Sequence, residues 1–327
     1  MHKLLSFLFA LPLWATAQDP QNGLLWRISP PEGGPSSYLL GTVHSRDARA
    51  YTSIALAQTA MDACQSVYGE VDMEAAKGFN ASIAASVMLP GGQTLKDLYS
   101  LGKYKRVEKA LREKLGPMYV LLSHMKPLLL SAVLTEESMG KDSSRVLDEY
   151  LQVRARDMGK RAGGIETMAE QLAAMDAIPL KDQADMLYET VRSKGQAKEM
   201  DRLLNAYAKQ DLGTIGKLMK DGGMSDAFSR PLLTERNVVM AQRIDSLMHD
   251  GTALFAVGAA HLPGEKGVLQ LLKARGLEVK AVRSPADIPQ VNGQDALDAD
   301  PEEIPPNPPV PTIETVPIET VPIRTPK

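Results

Sequence analysis

Apolar positions along the chain follow two patterns, and each pattern predicts a different element. Continuous apolar runs in LLWRIS and SYLLGTVH, on either side of the turn-forming PPEGGPS, predict two strands. QSVYGEVDM, TALFAVGAAH and LEVKAV predict three more. In KYKRVEKALREKL and SSRVLDEYLQVRARDMG, apolar residues return every three or four positions, as in amphipathic helices, and Asp142 to Ser144 are expected to cap the second helix.

The strands come from both ends of the chain, and the long middle is mostly helical. This distribution predicts an α/β fold in which a central mixed sheet, built from the N- and C-terminal parts of the chain, is flanked by helices. The order of the strands in the sheet does not follow from the pattern.

The two termini have compositions of their own. MHKLLSFLFALPLWATAQDP has a basic start, an apolar run and an A-T-A site, so residues 1–17 are expected to be a signal peptide. The apolar run is about half the roughly 20 residues that span a bilayer, so we expect an exported protein, periplasmic or extracellular, without a permanent membrane span. Proline recurs from residue 285 onwards and IETVP repeats, which predicts a disordered tail over 285–327 and leaves 18–284 as one globular domain.

Composition excludes several classes of function. A net charge of −3 and 5% aromatic residues give no basic stripe and few stacking surfaces, so no nucleic-acid partner is expected. Cys64 is the only cysteine, and we expect it to be a small buried residue. G-x-S-x-G and H-E-x-x-H are absent, which argues against a serine hydrolase and a zincin.

The candidate chemistry lies just beyond the predicted strands. The pattern G-x-x-H occurs at His44 and again at His261, and Glu70 and Glu166 have similar settings, each with a glycine shortly before it. Ligands bind at the carboxyl ends of strands in open α/β sheets, and a glycine there permits a sharp turn and close backbone approach. Two imidazoles and one carboxylate can bind a divalent metal and leave a position for water, while a second carboxylate acts as a base.

Other interpretations of these residues stay open at this point. Either histidine could be a hydrogen-bonded residue at a strand end, and Glu166 could be the first carboxylate of the next helix. Arg236 and Asn237, in TERNVVMAQRI, could lie on a solvated helix face, or Arg236 could enter the cleft and hold Glu70. A helix expected to start at Pro263-Gly264-Glu265 would point N–H groups at an oxyanion.

Five segments, LLGTVH, VYGEVDM, GGIETMAEQL, TERN and VGAAHLPGEKGVLQLLKARGLEV, resemble the TraB/GumN (TraB/PrgY/GumN) family, which is related to the Tiki metalloproteases. The resemblance runs from about residue 24 to 283 in the expected order. It implies a site in which His44 and His261 are metal ligands and Glu70 is their acidic partner. Four residues would support them, namely Asp72, Glu166, Arg236 and Asn237.

These observations lead to two expected functions. The first is an exported metal-dependent hydrolase, a peptidase acting on a peptide or protein with Mn, Co or Zn held by His44, His261 and Glu70. Its catalytic residues would be Glu70, Glu166, Arg236 and Asn237, and Glu70 could be ligand, base or both. The alternative is a non-catalytic protein that binds a peptide or an envelope component in the same cleft.

Overall fold

The computed structural model describes residues 22–289, except 77, 79–80, 194 and 222–224. The expected signal peptide, 1–17, lies outside the described residues, and so does the expected tail from residue 290 onwards. The chain packs as far as Ile288, which is 3% exposed in the core, four residues beyond the expected end of the globular domain. Within the described residues, no helix combines the length and the apolar composition that a bilayer crossing requires.

The predicted α/β class is confirmed by a six-stranded mixed sheet with helices around it. The strands are β1 (Leu25–Ser29), β2 (Ser37–Thr42), β3 (Ser66–Val71), β4 (Arg161–Glu166), β5 (Ala253–Gly258) and β6 (Glu278–Ala281). Their order in the sheet is β4-β3-β5-β2-β1-β6. β4, β3, β5 and β2 run parallel, and β1 pairs antiparallel with both β2 and β6. The sheet thus takes its edge strand β4 from the helical middle of the chain.

The helices of the described residues occupy most of the chain between the strands. They are α1 (Ile54–Asp62), α2 (Met73–Ala76), α3 (Ala81–Val87), α4 (Leu95–Leu98), α5 (Leu101–Leu115), α6 (Tyr119–Leu122), α7 (Pro127–Glu137), α8 (Leu147–Asp157), α9 (Met168–Asp176), α10 (Leu180–Arg192), α11 (Gln196–Ala208), α12 (Leu212–Asp221), α13 (Asp226–Ser229), α14 (Glu235–Met248) and α15 (Val268–Ala274). The two amphipathic segments of the sequence form α5 and α8.

Side chains of the central strand β5 alternate between two apolar cores. Leu254 and Ala256 pack with α1, α8 and α11 on one face, and burial in this core raises the pKa of the Cys64 thiol to about 12. Phe255 and Val257 pack with α14 and α15 on the other face. Because the strand is covered on both sides, its sequence is a continuous apolar run instead of an alternation. A third core lies among α4 to α7 and α10.

Two expected helix starts are wrong. α8 begins at Leu147 with Val146 at the cap, and the Asp142 carboxylate instead accepts the backbone N–H of Ala48 at 2.9 Å. α15 begins at Val268 and not at Pro263, because Gly264 turns the chain with a φ of 88°. The N–H groups expected to face an oxyanion after His261 are therefore not at a helix start.

Candidate active site

The carboxyl ends of the four parallel strands meet at one edge of the sheet, where the ionisable groups singled out in the sequence lie. Glu70 belongs to β3 and Glu166 is the last residue of β4. His44 lies two residues beyond β2, and His261 ends a short 3-10 helix, Ala259–His261, that follows β5. Distant parts of the chain thus reach one place because their strands run in the same direction.

The two G-x-x-H segments leave the sheet side by side, because Thr42 of β2 is opposite Gly258 of β5. Neither glycine, Gly41 or Gly258, has a positive φ, so the backbone conformation does not require a glycine there. What requires it is the lack of room for a side chain. A Cβ on Gly41 would lie 2.7 Å from Cδ1 of Leu262, and one on Gly258 would lie 3.1 Å from Oε1 of Glu70. The expected close approach of the backbones is present, and the expected sharp turn is not.

His261 is a buried imidazole, 4% exposed, whose orientation is fixed by Asn237. Its Nδ1 lies 2.6 Å from Oδ1 of Asn237, and the amide Nδ2 of Asn237 donates to the carbonyl oxygen of Lys266 at 2.8 Å. Because that amide nitrogen is used on Lys266, Oδ1 is the acceptor and Nδ1 of His261 is assigned the proton. The unprotonated Nε2 faces Oε1 of Glu70 at 3.6 Å.

Glu70 is held ionised and His261 is held neutral, and these are the forms that metal ligands need. Burial would raise the pKa of Glu70, but the charges of protonated His261 and of Arg236, and the N–H of Gly258, lower it below its usual value. Burial lowers the pKa of His261 to about 4, although the charge of Glu70 opposes this. At neutral pH a carboxylate oxygen therefore faces an imidazole lone pair with no proton between them.

Arg236 joins two carboxylates of the site, Glu70 and Glu166. Its Nη2 lies 2.7 Å from Oε2 of Glu70 and 2.6 Å from Oε2 of Glu166, and its Nε donates to both oxygens of Glu166 at 3.1 and 3.2 Å. Gln171 spans the same pair, since its Nε2 donates to Glu70 at 3.0 Å and to Glu166 at 3.4 Å. Arg236 thus holds Glu70 and does not lie on a solvated helix face, which agrees with one of the two interpretations left open by the sequence.

Glu166 does not act as the first carboxylate of the helix that follows it. Thr167 is the N-cap of α9, and its hydroxyl accepts the backbone N–H of Glu170, whose carboxylate in turn accepts the N–H of Thr167. The side chain of Glu166 is 3% exposed and directed at Arg236.

His44 is the more exposed imidazole, with 59% of its side chain accessible, and its partner is Asp148 of α8. Nδ1 of His44 lies 3.4 Å from Oδ2 of Asp148, whose Oδ1 accepts the hydroxyl of Thr42 at 2.6 Å. The contact with Asp148 raises the pKa of His44; burial opposes the rise, and the charges of Asp148, Glu136 and Glu70 add to it. Glu70 therefore acts electrostatically on both imidazoles.

Asp72 follows directly after β3 and binds the start of α2 and a side chain of α8. Its Oδ1 accepts the backbone N–H of Glu74 at 2.9 Å and pairs with Arg156 of α8 at 2.6 Å. The amide of Gln152, also on α8, donates to the carbonyl oxygen of Val71 at 2.8 Å. α8 therefore fixes the segment that follows Glu70.

Among the residues that the structure describes, no three or more His, Cys, Asp or Glu side chains converge closely enough to enclose a metal ion. The pair of His261 and Glu70 nevertheless suits one: two ligands about 2.1 Å from a tetrahedral metal would be about 3.4 Å apart, close to the observed 3.6 Å. Oδ2 of Asp148 is buried without a hydrogen-bond partner.

Each histidine also has the surroundings of a metal ligand. Nδ1 is turned towards a side-chain oxygen, of Asn237 for His261 and of Asp148 for His44, so that Nε2 is the nitrogen left for a ligand. Metal-binding imidazoles are oriented by such contacts.

Sequence reasoning missed two residues of this site. Gln171 lies in MAEQL, in the first turn of the helix that follows Glu166, and this closeness in the chain could have drawn attention to it. Asp148 is one of many charged residues in an amphipathic helix, and nothing in the sequence distinguishes it from its neighbour Glu149.

Comparison with known proteins identifies relatives over most of the chain. The profile of the TraB/PrgY/gumN family matches residues 24–281. A metalloprotease TIKI homolog of Nematostella vectensis is 24% identical over 342 residues, covering 86% of this chain and 72% of the relative. Metalloprotease TIKI2 of Danio rerio is 23% identical, covering 81% of this chain and 62% of the relative, and TIKI1 of Danio rerio is 23% identical, covering 88% and 68%. No solved structure matches the chain significantly.

Proposed function

The chain belongs to the TraB/PrgY/gumN family, and we propose that it is an exported metal-dependent hydrolase that cleaves peptide bonds. The metalloprotease names of the relatives support this function for the family, at 23–24% identity. In this chain the single observation that carries the proposal is the neutral Nε2 of His261 facing the ionised Oε1 of Glu70 at 3.6 Å. Two acceptors in this position repel one another unless a cation lies between them.

We assign His261, Glu70 and His44 to the binding of a divalent metal, Mn, Co or Zn. A metal held there would polarise a peptide carbonyl and acidify a water molecule. The hard carboxylate and the borderline imidazoles suit any of the three ions, so metal analysis must distinguish them.

The remaining residues of the site prepare these groups for reaction. Arg236 keeps Glu70 ionised and fixes its Oε2, which leaves Oε1 on the side of His261. Asn237 fixes the tautomer of His261. Glu166, at 3% exposure and bound by Arg236, holds the arginine, whereas Glu70, at 23% exposure, is the group that we assign to accept a proton from the attacking water.

Metal analysis of the purified chain tests the site, because the sequence contains its own control histidines. His124 and His249 are exposed and lie outside the site. His44→Ala and His261→Ala should lower the bound metal and the affinity for Mn²⁺, and His124→Ala and His249→Ala should change neither. Equal metal contents in all four variants would contradict the assignment.

Mass spectrometry of a peptide mixture incubated with the chain tests the reaction. Metal-dependent fragments that disappear in Glu70→Gln support a peptidase. A binding protein without turnover remains the second candidate, favoured by the hydrogen bonds that both oxygens of Glu70 already accept. It would retain intact peptide and give no fragments at any metal concentration.

Export is part of the proposal and rests on the sequence of residues 1–17. N-terminal sequencing of the protein recovered from outside the cytoplasm should begin at Gln18. A protein found in the cytoplasm with Met1 intact would contradict export and leave the site assignment unaffected.

A further inference from the structure

Three large apolar side chains are exposed together at the turn from α5 to α6, in a part of the chain that the proposed site does not use. Met118, Val120 and Leu121, which we call the apolar tip, are 53%, 68% and 61% exposed. Single exposed apolar residues are ordinary on a protein surface, but three within four residues indicate a contact surface.

The apolar tip is held in place by the residue in its middle. Tyr119 is 5% exposed, its hydroxyl lies 3.3 Å from that of Tyr104, and the guanidinium of Arg112 lies 4.3 Å from its ring centroid. Because Tyr119 is fixed in the helical core, its neighbours on either side are directed outward. The exposure of the tip is therefore a property of the packed fold.

The helix that leads to the apolar tip is strongly basic in a chain whose net charge is −3. α5 contains six basic residues, Lys103, Lys105, Arg106, Lys109, Arg112 and Lys114, against two acidic ones, Glu108 and Glu113. Glu108 pairs with Arg112 and Glu113 with Lys109, both along the helix. The acidic partner from a neighbouring helix, Asp185 of α10, pairs with Lys103 at the far end. The positive excess thus continues to the tip.

We propose that the apolar tip, together with exposed lysines of α5, forms a peripheral contact with an anionic lipid bilayer. Apolar side chains entering the boundary between headgroups and acyl chains, with lysines above them on the phosphates, are the arrangement by which proteins lie on membranes without crossing them. A second copy of the chain fits less well, because it would bring the same positive charge against the tip. This inference does not depend on the hydrolase proposal.

A fluorescent label at the apolar tip tests the contact in the full chain. Cys64 is 3% exposed, so an environment-sensitive maleimide on Val120→Cys reacts at the tip. Val238→Cys, on α14 and 53% exposed, is the matched control for a label elsewhere on the surface. We expect vesicles of phosphatidylglycerol and phosphatidylcholine to shift the emission of the tip label to the blue, and to leave the control label unchanged.

The contribution of the lysine charges to vesicle binding is measured with the same label. Replacing Lys105 and Lys109, which lie four positions apart on one side of α5, by Gln should weaken binding by about fivefold for each residue, or roughly 25-fold together, and high salt should also weaken it. These lysines are exposed, so the variant should fold normally.

Three results would overturn the proposal. The first is a tip label that does not respond to anionic vesicles. The second is an equal response to vesicles of pure phosphatidylcholine. The third is a blue shift that appears without lipid and rises with protein concentration, which would make the tip an interface between copies.

Discussion

Replacing Arg236 by Gln should destabilise the fold, because Arg236 neutralises part of the negative charge of Glu70 and Glu166. Arg236 is 15% exposed and makes its shortest ionic contacts, at 2.6 and 2.7 Å, with Glu166 and Glu70. Removal of one partner from a buried ion pair costs about 3–5 kcal/mol, because the remaining charge is left in an apolar surrounding. We expect about 3 kcal/mol in the free energy of unfolding, since glutamine can still donate one hydrogen bond.

The loss of stability in Arg236→Gln should depend on pH, and the ionisation of Glu70 determines the direction of this dependence. Its pKa in the folded chain is lowered, so its ionised form contributes stability above the pKa of the unfolded state, and this contribution is lost as pH falls through the folded value. Without Arg236 one of the causes of that lowering is removed, and burial raises the pKa of Glu70. The difference between wild type and variant should therefore be largest near pH 7 and shrink below about pH 4.5.

Urea unfolding followed by circular dichroism measures the loss of stability and its dependence on pH, provided that the slope of the free energy of unfolding against urea concentration is the same in both proteins. Arg243→Gln is the matched control, because Arg243 lies on the same helix and binds Glu170, a carboxylate that is 43% exposed. It should lose only about 1 kcal/mol. In Glu166→Gln/Arg236→Gln, part of the loss should be restored. A loss in Arg236→Gln no larger than in the control, or one independent of pH, would refute the reasoning.

Three further predictions concern single residues. Asp148→Asn should weaken Mn²⁺ binding about 10- to 100-fold in a calorimetric titration, because the oxygen beside the exposed histidine loses its charge; unchanged affinity would remove Asp148 from the site. Gly41→Ala should lose about 1–3 kcal/mol on urea unfolding, since its methyl would lie 2.7 Å from Leu262, whereas Gly102→Ala, with no atom within 4 Å, should lose nothing; equal stabilities would contradict the packing argument. Arg243 lowers the pKa of Glu170 to about 2 through its hydrogen bonds and its charge. Glu170→Gln should therefore be less stable than wild type at pH 7, by under about 1 kcal/mol, and equal to it near pH 2. A loss of stability that persists near pH 2 would contradict the predicted direction of the pH dependence.

The class of the fold and the edge of the sheet that carries the site could be predicted from local patterns. Apolar runs fix where strands form, and a glycine followed by an ionisable residue at the end of a run marks where the chain leaves the sheet. His44, Glu70, Glu166 and His261 all follow this rule, because in a parallel sheet every such end lies on the same side.

What the sequence could not supply depends on contacts between distant segments. Asp148 lies beside His44 only because α8 packs against the end of β3. The amphipathic pattern of the helix does not distinguish Asp148 from Glu149. Asp142 offers a cap to α8 by local rules, yet its carboxylate binds the loop after β2. In both cases a partner about 100 residues away decides the role of the carboxylate.

The pairing of β2 with β5 determines when the site can come into existence. Thr42 is opposite Gly258 in the sheet, so the chain must close a loop of more than 200 residues before the two histidine segments are adjacent. Contacts of such long range form late and slowly, after the local helices between them. During synthesis, a nascent chain that ends anywhere in the helical middle lacks β5 and His261, so the site can assemble only when about the last seventh of residues 22–289 has left the ribosome.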